Sequence, residues 1–145
     1  MKTKFLLVDD DADDGILFAE AAREISPDVD CRVVQGGMKL FDLLSSDQRF
    51  TPDVIFLDIN MPILNGWQVL ATLKKDPRYS EIPVVIYSTS NHQGDVNRAY
   101  ESGAALFLTK PESFDELCEI LKVVAIAPQG QLKATLSRFP NVRSG

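Results

Sequence analysis

Five short apolar runs punctuate the chain, each followed by a polar break and then by a stretch of helical spacing. They are Lys4-Phe5-Leu6-Leu7-Val8, Cys31-Arg32-Val33-Val34-Gln35, Val54-Ile55-Phe56-Leu57, Ile82-Pro83-Val84-Val85-Ile86-Tyr87 and Ala104-Ala105-Leu106-Phe107-Leu108. Such runs, bounded by Pro, Gly or acids, read as strands buried on both faces. The intervening stretches read as helices. Residues 12–25 align Ile16, Ala19, Ala22 and Ile25, with Asp11 as cap and Asp13 and Asp14 at the positive end. Met38 to Leu44 aligns Leu40, Phe41 and Leu44, and Trp67 to Lys75 aligns Val69, Leu70 and Leu73. Asp95 to Ser102 is a weaker, polar helix closed by Gly103. Ser113 caps a last helix, with Glu116 set for a capping box and Phe114, Leu117, Ile120, Leu121 and Val124 on one face.

Strand and helix alternate five times, which predicts an α/β domain of βαβ units with right-handed crossovers. Helices should cover both faces of a five-stranded parallel sheet. Pro128-Gln129-Gly130 marks the end of this domain, residues 1–127. Residues 128–145 form a tail without an output domain, expected to be a frayed, solvated end. Its Leu132, Leu136 and Phe139 are nevertheless spaced for a short amphipathic helix.

Composition narrows the class. The 145 residues are 45% hydrophobic and 25% charged, as in an ordinary globular domain. Net charge is -6, and the basic tail (Lys133, Arg138 and Arg143, no acid) leaves -9 on the rest. DNA or RNA is therefore not an expected partner. No apolar run approaches a membrane span, and the N-terminus lacks a signal-peptide pattern, so the protein reads as cytoplasmic. Cys31 and Cys118 lie far apart in apolar patterns and read as buried, reduced thiols.

A parallel sheet brings every strand's carboxyl end to one edge. Asp9-Asp10-Asp11, Asp58, Ser88-Thr89 and Lys110 all fall there. Clustered carboxylates repel unless a cation shares them, and hard oxygen donors suit Mg²⁺. A lysine and a hydroxyl add groups that hold phosphate oxygens. The set meets the needs of phosphoryl transfer to a carboxylate.

Asp9-Asp10 after the first strand, Asp58 through Met61-Pro62 to Gly66, Ser88-Thr89, and Lys110-Pro111 together resemble the receiver domain of two-component response regulators. The resemblance covers residues 4 to about 126. It implies a flavodoxin-like (CheY-like) doubly wound five-stranded parallel sheet of order 2-1-3-4-5. It implies Asp58 as phosphoryl acceptor, with Mg²⁺ held by Asp10 directly, by Asp9 through water, by Asp58, and by the backbone carbonyl of Asn60. Lys110 would pair with Asp58 before transfer and with the phosphoryl group afterwards. The Ser88 hydroxyl would turn toward that group and Phe107 would follow as the aromatic switch, here without a tyrosine hydroxyl. A cis bond at Lys110–Pro111 is a further expectation.

The implied function is a stand-alone receiver, not an enzyme acting on outside substrates. It would be phosphorylated by a sensor histidine kinase or histidine phosphotransfer protein and would signal to a downstream protein target. A homodimer through the fourth helix, fifth strand and fifth helix also fits the resemblance. Asp9-x-Asp11 also resembles the nucleophile motif of haloacid-dehalogenase-type phosphatases, with Asp9 as nucleophile. The chain is short for such an enzyme, and no acidic pair follows the fourth or fifth strand. Nor do Asp9 to Asp14 fit an EF-hand, and the acidic first loop does not suit a flavin phosphate. His92 reads as a solvated surface histidine and Trp67 as a residue at the domain edge.

Overall fold

The computed structural model describes residues 3–47, 50–128 and 130–145; the expectation placed on Gln129 lies outside these. In chain order the elements are β1 (Thr3–Val8), α1 (Ala12–Ile25), β2 (Val29–Val34), α2 (Gly37–Ser46), β3 (Val54–Leu57), α3 (Gly66–Lys75), β4 (Val84–Ser88) and α4 (Gln93–Glu101). They continue as β5 (Leu106–Thr109), α5 (Phe114–Ile126), α6 (Leu132–Leu136) and β6 (Val142–Arg143). The sheet order is β2-β1-β3-β4-β5-β6. The first five strands are parallel, as expected, and β6 is antiparallel to β5.

Strand side chains alternate between two cores. Leu6, Val8, Ile55, Leu57, Val84, Ile86 and Phe107 pack on the face covered by α2, α3 and α4. Phe5, Leu7, Val54, Phe56, Val85, Tyr87, Leu106 and Leu108 pack on the face covered by α1, α5 and α6. Burial on both sides is why these strands read as continuous apolar runs.

The expectations for the buried face of α1 and for the tail need correction. The inward face of α1 is Gly15, Phe18, Ala21 and Ala22, and Ile16 is 57% exposed. Gly15 sets this rotation: a Cβ there would lie 2.9 Å from Val33 Cγ1, so bare backbone rests on β2. Phe18 then reaches the sheet and meets Phe56 edge-on at 4.9 Å between ring centroids and Tyr87 at 5.5 Å. The tail, expected to fray, is folded. Leu132 and Leu136 are buried against the α5 side of the core, and residues 141–143 pair with β5. An unpaired outer edge on β5 would leave backbone donors unmet, and the tail supplies their partners.

The caps follow the sequence at α1 and α5. Asp11 accepts the N–H groups of Asp13 and Asp14, and Ser113 accepts that of Glu116. A complete capping box forms instead at α3, between Asn65 and Gln68. No peptide bond is cis among the described residues, so Lys110–Pro111 takes the trans form that X–Pro bonds favour.

Candidate functional site

The ladder carries each functional residue to its place at the sheet's carboxyl edge. Asp9 extends β1, its N–H donating to Val34 O at 3.1 Å, and Asp58 extends β3, donating to Val8 O at 2.9 Å. Lys110 follows β5 and donates to Ser88 O at 2.8 Å. The carboxylates of Asp9 and Asp58 therefore come from adjacent strands.

Asp9, Asp10 and Asp58 each present an oxygen within 4.8 Å of the others. Three hard oxygen donors at that spacing, one of them exposed, fit a divalent cation that keeps some of its water. Asp9 is fully enclosed and Asp58 is 6% exposed, so Asp58 is the one of the two adjacent acids that retains an opening. Burial, with the neighbouring Asp9 charge, raises the Asp58 carboxyl to about 6, against the lowering effect of the Asn60 N–H and Lys110. A cation bound between these acids would relieve both the desolvation and the repulsion.

Lys110 is the cation already present. Its Nζ donates to Asp9 Oδ2 at 2.8 Å and to Asp14 Oδ2 at 2.7 Å, and stands 3.9 Å from Asp58 Oδ2. Its expected pairing with Asp58 is thus an ion pair longer than a hydrogen bond, and the short contacts go to α1's side of the site. Burial disfavours charge on Lys110, but hydrogen bonds to Asp14 and Asp9 outweigh it and hold the ammonium above the ordinary lysine range. The Tyr87 ring lies beside it, 5.4 Å from Nζ.

The loop after Asp58 is built to hold it. Asp58 Oδ1 accepts the Asn60 N–H at 3.0 Å, and Asn60 itself is exposed. Ile63 has φ 67° at the centre of a three-residue turn closed by Leu64 N–H to Pro62 O at 2.8 Å. Gly66 begins α3 against this loop, where a Cβ would lie 2.4 Å from Ile59 Cα and 2.5 Å from Asp58 O.

Ser88 is fully buried at the tip of β4, and its Oγ accepts the Ser90 N–H at 3.2 Å. Phe107 is fully buried on the α4 side of the sheet. Its N–H donates to Tyr100 Oη at 3.1 Å, and that hydroxyl donates in turn to Arg143 O in β6. His92 is exposed ahead of α4, and Trp67, half-buried on α3, lies under the Arg98 guanidinium at 4.3 Å.

Asp14 and Tyr100 are the residues of this neighbourhood that the sequence reading did not single out as such. A signal for Asp14 exists: at the start of a helix, a residue three beyond Asp11 and four beyond Asp10 returns to the same side. Tyr100 had no signal, because its role depends on the position of the folded tail.

The chain matches the response regulator receiver domain family over residues 5–122. It is 30% identical over 121 residues to response regulator Rcp1 of Synechocystis sp., covering 81% of this chain and 82% of Rcp1. The crystal structure of the phosphorylated cyanobacterial phytochrome response regulator RcpA superposes with a TM-score of 0.76 at 30% identity, covering 99% of this chain and all of that one. The Mn²⁺-bound form of Rcp1 superposes at 0.72 with 26% identity, covering 98% and 99%.

The chain therefore belongs to the response regulator receiver family. It is a signalling domain of the CheY-like class, and such domains take a phosphoryl group from histidine kinases or phosphotransfer proteins. The phosphatase alternative has no support: the match is to the receiver family, and Asp9, its required nucleophile, is fully enclosed. No described helix is long and apolar enough to cross a membrane.

Proposed function

We propose that this receiver accepts a phosphoryl group on Asp58 from the phosphohistidine of a sensor histidine kinase or phosphotransfer protein, with Mg²⁺ at the acid cluster. The observation that carries this is the gathering of Asp9, Asp10 and Asp58 within 4.8 Å at the edge where Lys110 also arrives. An Asp58 oxygen forms the new O–P bond as the N–P bond of the donor breaks. The imidazole leaves with the electron pair and takes a proton from water. Mg²⁺, when bound, would neutralise charge on the transferring oxygens. Asp10, Asp58 and the Asn60 carbonyl would hold it directly and Asp9 through water. Lys110 supplies a fixed positive charge to the same oxygens.

Hydrolysis of the acyl phosphate by water would complete the cycle, so the only reactions the domain promotes are its own phosphorylation and dephosphorylation. Ser88 and Phe107 would carry the signal, the hydroxyl bonding the phosphoryl group and the ring following by packing alone. The effect is a biased two-state equilibrium that alters contact with a downstream protein. A homodimer through α4, β5 and α5 would have to form around β6, which already pairs with the outer edge of β5. Phosphotransfer from a labelled phosphohistidine protein tests the assignment. Label should pass to the parent and not to Asp58→Asn; label retained on Asp58→Asn would refute it.

A further inference from the structure

The Lys110 ammonium has three N–H donors. Two are committed, to Asp9 Oδ2 at 2.8 Å and to Asp14 Oδ2 at 2.7 Å. Asp58 Oδ2 is 3.9 Å away, outside hydrogen-bond reach. An ammonium on a flexible four-carbon stem would close that gap if nothing restrained it, since attraction grows as distance falls. Asp14 is the restraint that does not come from a strand tip. It belongs to the first turn of α1, where its N–H is held by Asp11 Oδ1 at 3.1 Å, and the Asp11 N–H is held by Asp9 Oδ1 at 3.0 Å. Asp9 and Asp14 are thereby fixed relative to one another, and Lys110 bridges them.

This stand-off has a chemical use. Oxygens of a phosphoryl group attached to Asp58 lie farther out than the carboxylate oxygen they join. A donor held short of Asp58 is placed for those oxygens and not for the free carboxylate. A donor serves a transition state when it waits where the charge will arrive. We propose that Asp14 is a positioning residue for phosphoryl transfer, holding the Lys110 ammonium off the unmodified Asp58 so that its third N–H is kept for the incoming phosphoryl oxygens. The proposal rests on Asp58 being the acceptor. Without Asp14 the ammonium drops onto Asp58, pairs with the nucleophile in its resting state and leaves less to gain during transfer.

Removing any acid here also eases the approach of an anionic donor, so charge alone predicts faster phosphorylation. Position predicts the opposite, and Asp13 separates the two: it is the exposed neighbour of Asp14 and makes no side-chain contact with Lys110 among the described residues. The experiment follows phosphorylation of the full chain by a small acyl phosphate with Mg²⁺, using intact mass across a range of donor concentrations. Asp14→Asn should lower the maximal rate about tenfold, the worth of one charge-assisted hydrogen bond, with the half-saturating donor concentration little changed. Asp14→Glu should recover most of the rate, and Asp13→Asn should not slow it. A crystal structure of Asp14→Asn should show Lys110 Nζ within hydrogen-bond distance of Asp58. Asp14→Asn as fast as the parent, or Asp13→Asn slowed equally, overturns the role of Asp14 and leaves the acceptor standing. A parent that takes up no phosphoryl group overturns both.

Discussion

Replacing Asp58 with Asn should stabilise the metal-free protein. Asp58 is 6% exposed beside the fully buried Asp9, and burial first, then the Asp9 charge, raise its carboxyl from 3.8 to about 6. A raised carboxylate pKa means that the folded state holds the proton more tightly than the unfolded chain. Between about pH 4 and 6 the folded state therefore binds more protons, and stability falls as pH rises through that window. Above it the full cost of keeping Asp58 ionised is present. A difference of roughly 2 pKa units at ~1.4 kcal/mol each amounts to about 3 kcal/mol. Asparagine keeps the shape, and its carbonyl can still accept the Asn60 N–H. Urea unfolding in chelator should thus find Asp58→Asn more stable by about 2–3 kcal/mol near pH 8, with the gain fading toward about pH 4. Equal stability at both pH values, or a less stable variant near pH 8, would refute the reasoning. Adding Mg²⁺ should shrink the difference, because a ligand that binds the folded parent stabilises it.

Lys110→Ala strips a cation from the buried Asp9, so the chelated protein should lose about 3 kcal/mol in urea unfolding, and Mg²⁺ should restore much of it. Unchanged stability in chelator would contradict the pairing. Leu136 is fully buried, and Leu136→Ala should cost about 3 kcal/mol; a silent substitution would mean that α6 does not dock. At Gly66 the obstacle to a side chain is backbone, Ile59 Cα and Asp58 O, which cannot swing away. Gly66→Ala should therefore cost at least about 1 kcal/mol and slow phosphorylation of Asp58, and a variant with both intact would contradict the packing of this loop.

Much of this architecture was legible because local patterns coincide with tertiary ones. Val54 to Leu57 is apolar on both faces because both faces of β3 are covered, and Asp58 breaks the run where the sheet meets solvent. A parallel sheet then brings Asp9, Asp58, Ser88 and Lys110 to one edge without further information. What escaped depends on contacts remote in sequence. The rotation of α1 follows from Gly15 resting on Val33, and apolar spacing alone ranks Ile16 above glycine. Val142–Arg143 is a two-residue strand with no periodicity of its own, ordered by the open edge of β5. Lys110 settles on Asp14 across 96 residues, a choice among several acids that only the folded geometry makes.

The assignment of Asp58 and its metal is tested most directly by intact mass after exposure to a small phosphodonor, with Mg²⁺ or with chelator. The parent should gain a single phosphoryl group, mapped to Asp58, only when the metal is supplied, and Asp58→Asn should gain none. A phosphoryl adduct that forms equally well in chelator, or that persists on Asp58→Asn, would contradict it.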